Sequence, residues 1–408
     1  SVALSDMHIS LPSITPVLAP RPFGRAFKRS RNMSADGCQK PTWTGKPFSY
    51  LMHQPASGTS SYRDAPAANV ERAASAGGGA QAATGVWDGP APRTQLRGAA
   101  AAAGGAAAAE GEAEAVNERQ PDAVPLPGGG RLPLIGYGTY KVDSVDPIRT
   151  ALEAGYCHLD CASVYDNEAL VGEAISPWLQ QHERDSLFLT TKIWNNAHRP
   201  DLARKSALQS LKDLGVDKVD LLLMHWPNAW TPESTNDSHQ PDTTVTVLDT
   251  WRAMEQLVDE GKAAYIGVSN FSEKALMALL SEARIKPVAN QIELHPLLAQ
   301  RRLVGACLRQ GVVCIAYGPL GHSKTDLLAS PGVVALAESL GRSPAQVLLR
   351  WNVQRGVAVL PKASSAGHVK DNIEGLFDWR LTYDQKAQLD ALDQGKRFVD
   401  NDWHSWDD

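Results

Sequence analysis

The chain has 408 residues, 43% of them hydrophobic, with 40 basic against 45 acidic side chains and a net charge of −5. That balance offers no basic surface for nucleic acid, and no strongly apolar run reaches the roughly 18 residues a membrane-crossing helix needs. Five cysteines (Cys38, Cys157, Cys161, Cys307, Cys314) are too sparse and odd in number for a disulfide framework, which suits a reducing compartment.

Residues 1–31 carry one acid, Asp6, against Arg21, Arg25, Lys28, Arg29 and Arg31, a composition like that of a transit peptide. From about 56 to 118 Ala, Gly and Pro dominate, ending in "AAAEGEAEAV". Such a segment buries too little to offset its chain entropy. The sequence therefore predicts a disordered, low-complexity extension over 1–120 and a folded domain over 121–408. A cytoplasmic location is expected, or a plastid if 1–120 acts as a transit peptide. The chain begins at Ser1, which leaves open a missing upstream segment or an internal start at Met33.

From Pro125 the texture changes. "VPLPGGGRLPLIGYGT" places two apolar runs around Gly128-Gly129-Gly130, a hairpin signal. Short apolar runs follow at 132–138, 156–160, 187–192, 219–225, 263–269, 288–293, 312–317 and 357–361, each readable as a strand. Amphipathic segments at 201–215, 246–261 and 343–356 read as helices between them. Eight strand–helix units within about 250 residues is the (β/α)8 TIM barrel count, here with an N-terminal β-hairpin. A doubly wound sheet is the competitor, but "GYGTYK" (136–141) lacks the third glycine and leads into no immediate helix.

A barrel builds its site from residues at the C-terminal ends of its strands. The second run ends at Asp160, with Tyr165 beyond it; the third ends at Lys192 and the fourth at His225. Singly, Asp160 reads as a helix cap, Tyr165 as a half-buried aromatic, Lys192 as a surface cation and His225 as a core histidine. Together, at adjacent strand ends, they make a proton donor. An ammonium beside a phenol favours the phenolate and pulls its pKa down, while a carboxylate behind the ammonium holds it in place. A neutral imidazole can donate a hydrogen bond to a substrate oxygen. Such a set lacks a reductant, which points to a hydride-bearing cofactor. Cys157, His158 and Cys161 could suggest a metal cluster, but no second C-x-x-C or H-x-H pair accompanies them, and no metal is expected.

"GYGTY", "HLDCASVYDNEALVG", "TTKIWN", "LLLMHWP", "IGVSNF", "NQIELHP", "AYGPLG" and "LPKASS…DNI", in this order over about 124–405, resemble the aldo-keto reductase family, in its NADPH-dependent aldehyde/aldose reductase-like branch. The resemblance implies reduction of aldehydes and ketones, with aldoses such as pentoses among them. Tyr165 is then the general acid, Lys192 and Asp160 tune it, and His225 orients the carbonyl. It also implies a cofactor site. Ser269, Asn270 and Gln291 would hold the nicotinamide carboxamide, and Tyr317 would stack on its ring. Leu320 would lie in a loop over the pyrophosphate, with Gly138 and Thr139 nearby. Lys362 would pair with the adenosine 2′-phosphate, with Ser365, His368, Asp371 and Asn372 close to the adenosine. Three positions depart from the family pattern: Ala363 and Gly318 stand where serine is common, and His368 where arginine is usual. Histidine is only partly charged at neutral pH and lacks arginine's bidentate fork. NADPH is therefore expected to win over NADH, by a narrower margin than is typical of the family, leaving NADH as a weaker or second cofactor.

By the same resemblance Tyr140, Trp194, Trp226 and Trp230 form an aromatic wall around the carbonyl pocket, together with His225. The tail "RFVDNDWHSWDD" is short, which predicts a small C-terminal loop, an open pocket and broad aldehyde tolerance. His295 is expected to be structural. The expected partner is a small carbonyl substrate, with no nucleic acid and no membrane, and the expected state a monomer, with a dimer as the alternative. Two other readings compete: a cofactor-binding regulatory protein of the channel β-subunit kind, and a metal-dependent barrel hydrolase. The second is disfavoured because no H-x-H occurs on the first strand.

Overall fold

The computed structural model describes residues 122–322 and 326–406. The reading of 1–120 as a disordered extension lies outside the described residues.

Strands β1 (Ala123–Pro125) and β2 (Arg131–Pro133) pair antiparallel as the expected hairpin. Its turn holds Gly128 at φ +79 and Gly129 at φ +94, a backbone region that glycine adopts without a side-chain clash. Eight parallel strands follow: β3 (Tyr137–Gly138), β4 (His158–Asp160), β5 (Phe188–Ile193), β6 (Val219–Met224), β7 (Ala263–Ser269), β8 (Ala289–Glu293), β9 (Val313–Tyr317) and β10 (Ala358–Leu360). They pair in chain order. A parallel bridge between Ile135 and Val359 brings the first strand beside the last, so the sheet closes into the expected barrel. Buried on both faces, its strands read as nearly unbroken apolar runs; β6 and β7 are the clearest cases.

The run 132–138, expected as one strand, is divided. Its first half pairs with β1, and the Leu134 amide donates to the Asp122 carbonyl; the Gly136 amide turns to the Val359 carbonyl across the barrel seam. One backbone thus serves both hairpin and barrel. The hairpin docks at the N-terminal end of the strands, where the Gly130 amide donates to Tyr265 Oη, early in β7, at 3.0 Å.

Helices α1 (Val145–Glu153), α2 (Glu168–Leu179), α3 (Pro200–Leu214), α4 (Val247–Asp259), α5 (Glu273–Glu282) and α6 (Arg301–Arg309) follow β3 to β8 in turn. Helices α7 (Pro331–Leu340) and α8 (Pro344–Val353) separate β9 from β10, and α9 (Ala366–Ile373), α10 (Tyr383–Asp390) and an irregular tail follow β10. Their ends follow local chemistry. Thr246 and Ser343 close capping boxes at the starts of α4 and α8, and Gly215, at φ +68, ends α3.

Helices α2 and α3 pack almost backbone to backbone, since a Cβ on Gly172 would meet the Asp213 carbonyl oxygen at 2.3 Å. Gly172→Ala is expected to destabilise the fold by about 1–3 kcal/mol by forcing the two helices apart. A urea midpoint that falls at constant slope would register this, and an unmoved midpoint would refute it.

Candidate active site

The C-terminal ends of β4, β5 and β6 face one mouth. Asp160 is the last residue of β4, Lys192 lies one residue from the end of β5, and His225 follows β6 directly. Tyr165 ends a single 3-10 turn, Ser163–Tyr165, beyond β4. That turn is tied down on both sides. Ser163 Oγ donates to the Lys192 carbonyl at 3.0 Å, and Asn167 Nδ2 donates to the carbonyls of Thr139 and Val142 at 2.8 and 2.9 Å. Asp166 takes a left-handed φ of +54, which swings the chain from the turn into α2.

The structure brings the four predicted residues together. Lys192 Nζ donates to Asp160 Oδ2 at 2.7 Å, to the Cys161 carbonyl at 2.7 Å and towards Tyr165 Oη at 3.3 Å. These three partners use all the hydrogens an ammonium has. The same nitrogen lies 4.9 Å from the Tyr165 ring centroid. The His225 and Tyr165 rings meet edge-on with centroids 5.9 Å apart.

The electrostatics follow from this burial. Burial pulls the Lys192 ammonium down, but Asp160 and Tyr165 outweigh it and leave its pKa raised. Burial, aided by Lys192, pushes His225 well below the usual imidazole value, so it is neutral at pH 7. For Tyr165 the expected direction is reversed. Lys192 does lower its pKa, but loss of solvent is the larger effect and raises it to about 12. The phenol holds its proton firmly in the free protein.

Asp160 has a second partner that the sequence reading missed. Gln291 Nε2, from β8 across the barrel, donates to Asp160 Oδ1 at 2.7 Å. Gln291, Ser269, Asn270 and Tyr317 form one connected group. The Gln291 carbonyl accepts from Ser269 Oγ at 2.8 Å and from the Asn270 amide at 2.9 Å; Tyr317 Oη donates to Asn270 Oδ1 at 2.7 Å; Asn270 Nδ2 donates to the His225 carbonyl at 3.0 Å. Asn270 needs its left-handed φ of +61 to face both neighbours. Thr139 is buried and donates to the Asp160 carbonyl at 2.9 Å.

The remaining predicted cofactor residues lie around β9, β10 and α9. Leu320 is half-buried in the loop after β9. Lys362 is exposed two residues after β10, and its Nζ donates to Ser364 Oγ at 2.8 Å. A Cβ on Gly138 would lie 3.8 Å from Lys362 Cβ, so these two positions are neighbours. Ser365 caps α9 by accepting the His368 amide, which sets His368 in the first turn of that helix. Asp371 Oδ2 accepts from Ser343 Oγ at 2.6 Å, tying α9 to α8, and Asn372 is buried. An aromatic face at Tyr317, amides beside it, and a cation next to a helix N-terminus suit an elongated ligand with an aromatic ring at one end and phosphate at the other.

The aromatic wall has more members than expected. Trp194 meets His225 at 4.8 Å and Trp230 at 5.7 Å, and Tyr140 meets Tyr165 at 5.1 Å. The short tail does not leave this wall bare. Trp403 packs edge-on against Trp226 at 4.8 Å and Trp230 at 5.0 Å, so both are only 3% exposed. Asn228 Nδ2 donates to the Trp403 carbonyl at 3.2 Å, and His404 Nδ1 donates to Asn228 Oδ1 at 2.7 Å. The two tryptophans of "NDWHSW" were the available signal for this docking. His295, expected to be structural, is buried just beyond the end of β8 and donates from Nε2 to Glu293 Oε1 at 3.0 Å.

Among the described residues no group of three or more His, Cys, Asp or Glu side chains is placed to hold a metal ion, and no helix is long and apolar enough to cross a membrane.

The model of the Aldo/keto reductase family matches residues 134–394. The chain is similar to aldo-keto reductase family 1 member A1-A of Danio rerio, 39% identical over 295 residues, or 68% of this chain and 91% of that protein. It is also similar to aldo-keto reductase family 1 member A1 of Gallus gallus, 38% identical over 297 residues (68% and 90%), and of Rattus norvegicus, 39% over 291 residues (66% and 89%).

Proposed function

Because this chain belongs to the aldo/keto reductase family, we propose that it reduces aldehydes and ketones to alcohols with NADPH, Tyr165 acting as proton donor. The single observation that carries the reading is the ammonium of Lys192, wedged between Asp160 and Tyr165 beside a neutral His225.

Bound at Ser269, Asn270, Gln291 and Tyr317, with Lys362 near its adenosine phosphate, NADPH would supply the hydride that a carbonyl carbon accepts. This chain's residues manage the other half of the reaction. Neutral His225 offers a ring N–H to the carbonyl oxygen and fixes its orientation. As negative charge develops on that oxygen, Tyr165 Oη gives up its proton. An alkoxide is a far stronger base than a phenolate, so the transfer runs downhill even with the phenol held up near 12. Lys192, 3.3 Å from the phenol oxygen, stabilises the phenolate left behind, and Asp160 keeps that ammonium aimed. The wall of Trp194 and Trp230 excludes water and favours substrates with a flat or apolar face.

NADPH oxidation measured with a panel of aldehydes tests the reading. Turnover with aromatic aldehydes is the expected result; tight NADPH binding with no turnover would favour the regulatory alternative instead.

Cofactor choice rests on Lys362. Lys362→Ala is expected to raise KM for NADPH about tenfold, as loss of one charge-assisted contact of about 1.4 kcal/mol would. KM for NADH should stay within about twofold, and an equal rise for both cofactors would remove the phosphate contact from the account.

A further inference from the structure

Glu293 is the last residue of β8, and its side chain is fully buried. A carboxylate there needs several donors to offset lost hydration. It finds them largely in the C-terminal tail. Glu293 Oε1 accepts the Phe398 amide at 3.0 Å, and Oε2 accepts the amides of Phe398 and Val399 at 3.2 and 3.0 Å. His295 Nε2 donates to Oε1 at 3.0 Å, with its ring against Phe398 at 5.1 Å, and His322 Nε2 lies 3.8 Å from the same oxygen. Burial pushes this carboxyl up, but the bonds from His295, Val399 and Phe398 more than offset it and hold its pKa below the usual value.

Four residues beyond Val399 the same tail delivers Trp403 to the wall of Trp194, Trp226 and Trp230. Trp194 in turn touches His225. The tail is therefore held by a buried anion at Phe398–Val399, by Asn228 at Trp403–His404 and, nearer its start, by the Leu297 carbonyl, which accepts the Lys396 amide at 2.9 Å. The second is a neutral contact at the rim and the third a neutral backbone bond. The first is the strongest, because hydrogen bonds to an ionised acceptor are roughly twice as strong as neutral ones.

We infer that Glu293 is a positioning residue for substrate selection: its carboxylate anchors the tail so that Trp403 closes the aromatic wall, and it acts on the substrate only through that indole. This rests on the carbonyl-reductase reading above. It assigns to a residue beside Tyr317, outside the set of Asp160, Tyr165, Lys192 and His225, the choice between bulky and small aldehydes.

Three measurements on the full chain test it. In Glu293→Gln, hydrogen exchange at the amides of Phe398 and Val399 should accelerate at least tenfold. KM for an aromatic aldehyde such as 4-nitrobenzaldehyde should rise about tenfold, while KM and kcat for propanal stay within about twofold. The double variant Glu293→Gln/Trp403→Ala should match Trp403→Ala alone towards the aromatic aldehyde, because both changes remove one contact. If Glu293→Gln does not fold, Glu293→Asp keeps the charge on a shorter arm and is read the same way. Faster exchange with an unchanged KM ratio, or an equal loss of kcat for both aldehydes, would overturn the inference, as would additive effects in the double variant. A wild-type chain that turns over neither aldehyde defeats the reading of function and the selection role with it. The exchange arm would then still decide whether Glu293 holds the tail.

Discussion

Tyr165→Phe is expected to lower kcat for aldehyde reduction by roughly 10²–10⁴, the range typical of losing a positioned general acid. NADPH affinity should change by less than about threefold, because the ring and its neighbours Tyr140 and His225 remain. Stopped-flow turnover paired with fluorescence titration of NADPH separates the two quantities. A variant that keeps most of its turnover would end the proton-donor assignment. The pH profile supplies a second check. Tyr165 must carry its proton to donate it, and its pKa in the free protein lies near 12. His225 is held neutral, its pKa well below 6.5. Since kcat/KM reports groups of the free enzyme, it should stay flat from about pH 6.5 to pH 9, with no break from either residue.

Lys192→Met is expected to damage both fold and chemistry. The ammonium is fully buried and bonds Asp160, Cys161 and Tyr165. Its removal leaves the Asp160 carboxylate in the interior with Gln291 as its remaining side-chain donor. Breaking a buried pair from one side costs about 3–5 kcal/mol, a large share of a domain's stability. The urea midpoint should fall accordingly, and turnover should drop by more than the folded fraction explains. Lys192→Met/Asp160→Asn should recover part of the stability, since no unpaired charge then remains, but none of the turnover. Recovery of both would mean that the pair is only structural.

The barrel was legible because its strands are buried on both faces and so read as apolar runs. The run "AAYIGVS" coincides with β7 residue for residue. The clustering of the candidate site residues was legible for the related reason that strand ends carry the polar residues. What escaped depends on distance along the chain or on burial. The bond between Gln291 and Asp160 joins residues 131 apart, and nothing in either local pattern announces it. The tail gave an expectation of openness because its length was visible and its partner, the buried Glu293, was not. The direction of the Tyr165 shift was misjudged because charge can be read from residue types, whereas loss of solvent around the ring is a property of the folded mouth. The run 132–138 was read as one strand since no pattern of apolar residues marks where a backbone changes partners.

The amide of Gln291 has one further consequence. It holds Asp160, the carboxylate that steadies the proton-donating pair, and by the reading above it also meets the nicotinamide end of the cofactor. Binding and proton affinity are then two faces of one equilibrium. If the cofactor draws on Gln291, the field around Lys192 and Tyr165 changes. By thermodynamic reciprocity the affinity for cofactor must shift with the protonation of Tyr165 by the same factor. Asp160 raises the Tyr165 pKa, so a carboxylate less engaged by Gln291 would raise it further, and the cofactor would then bind more tightly to the protein that carries its phenolic proton.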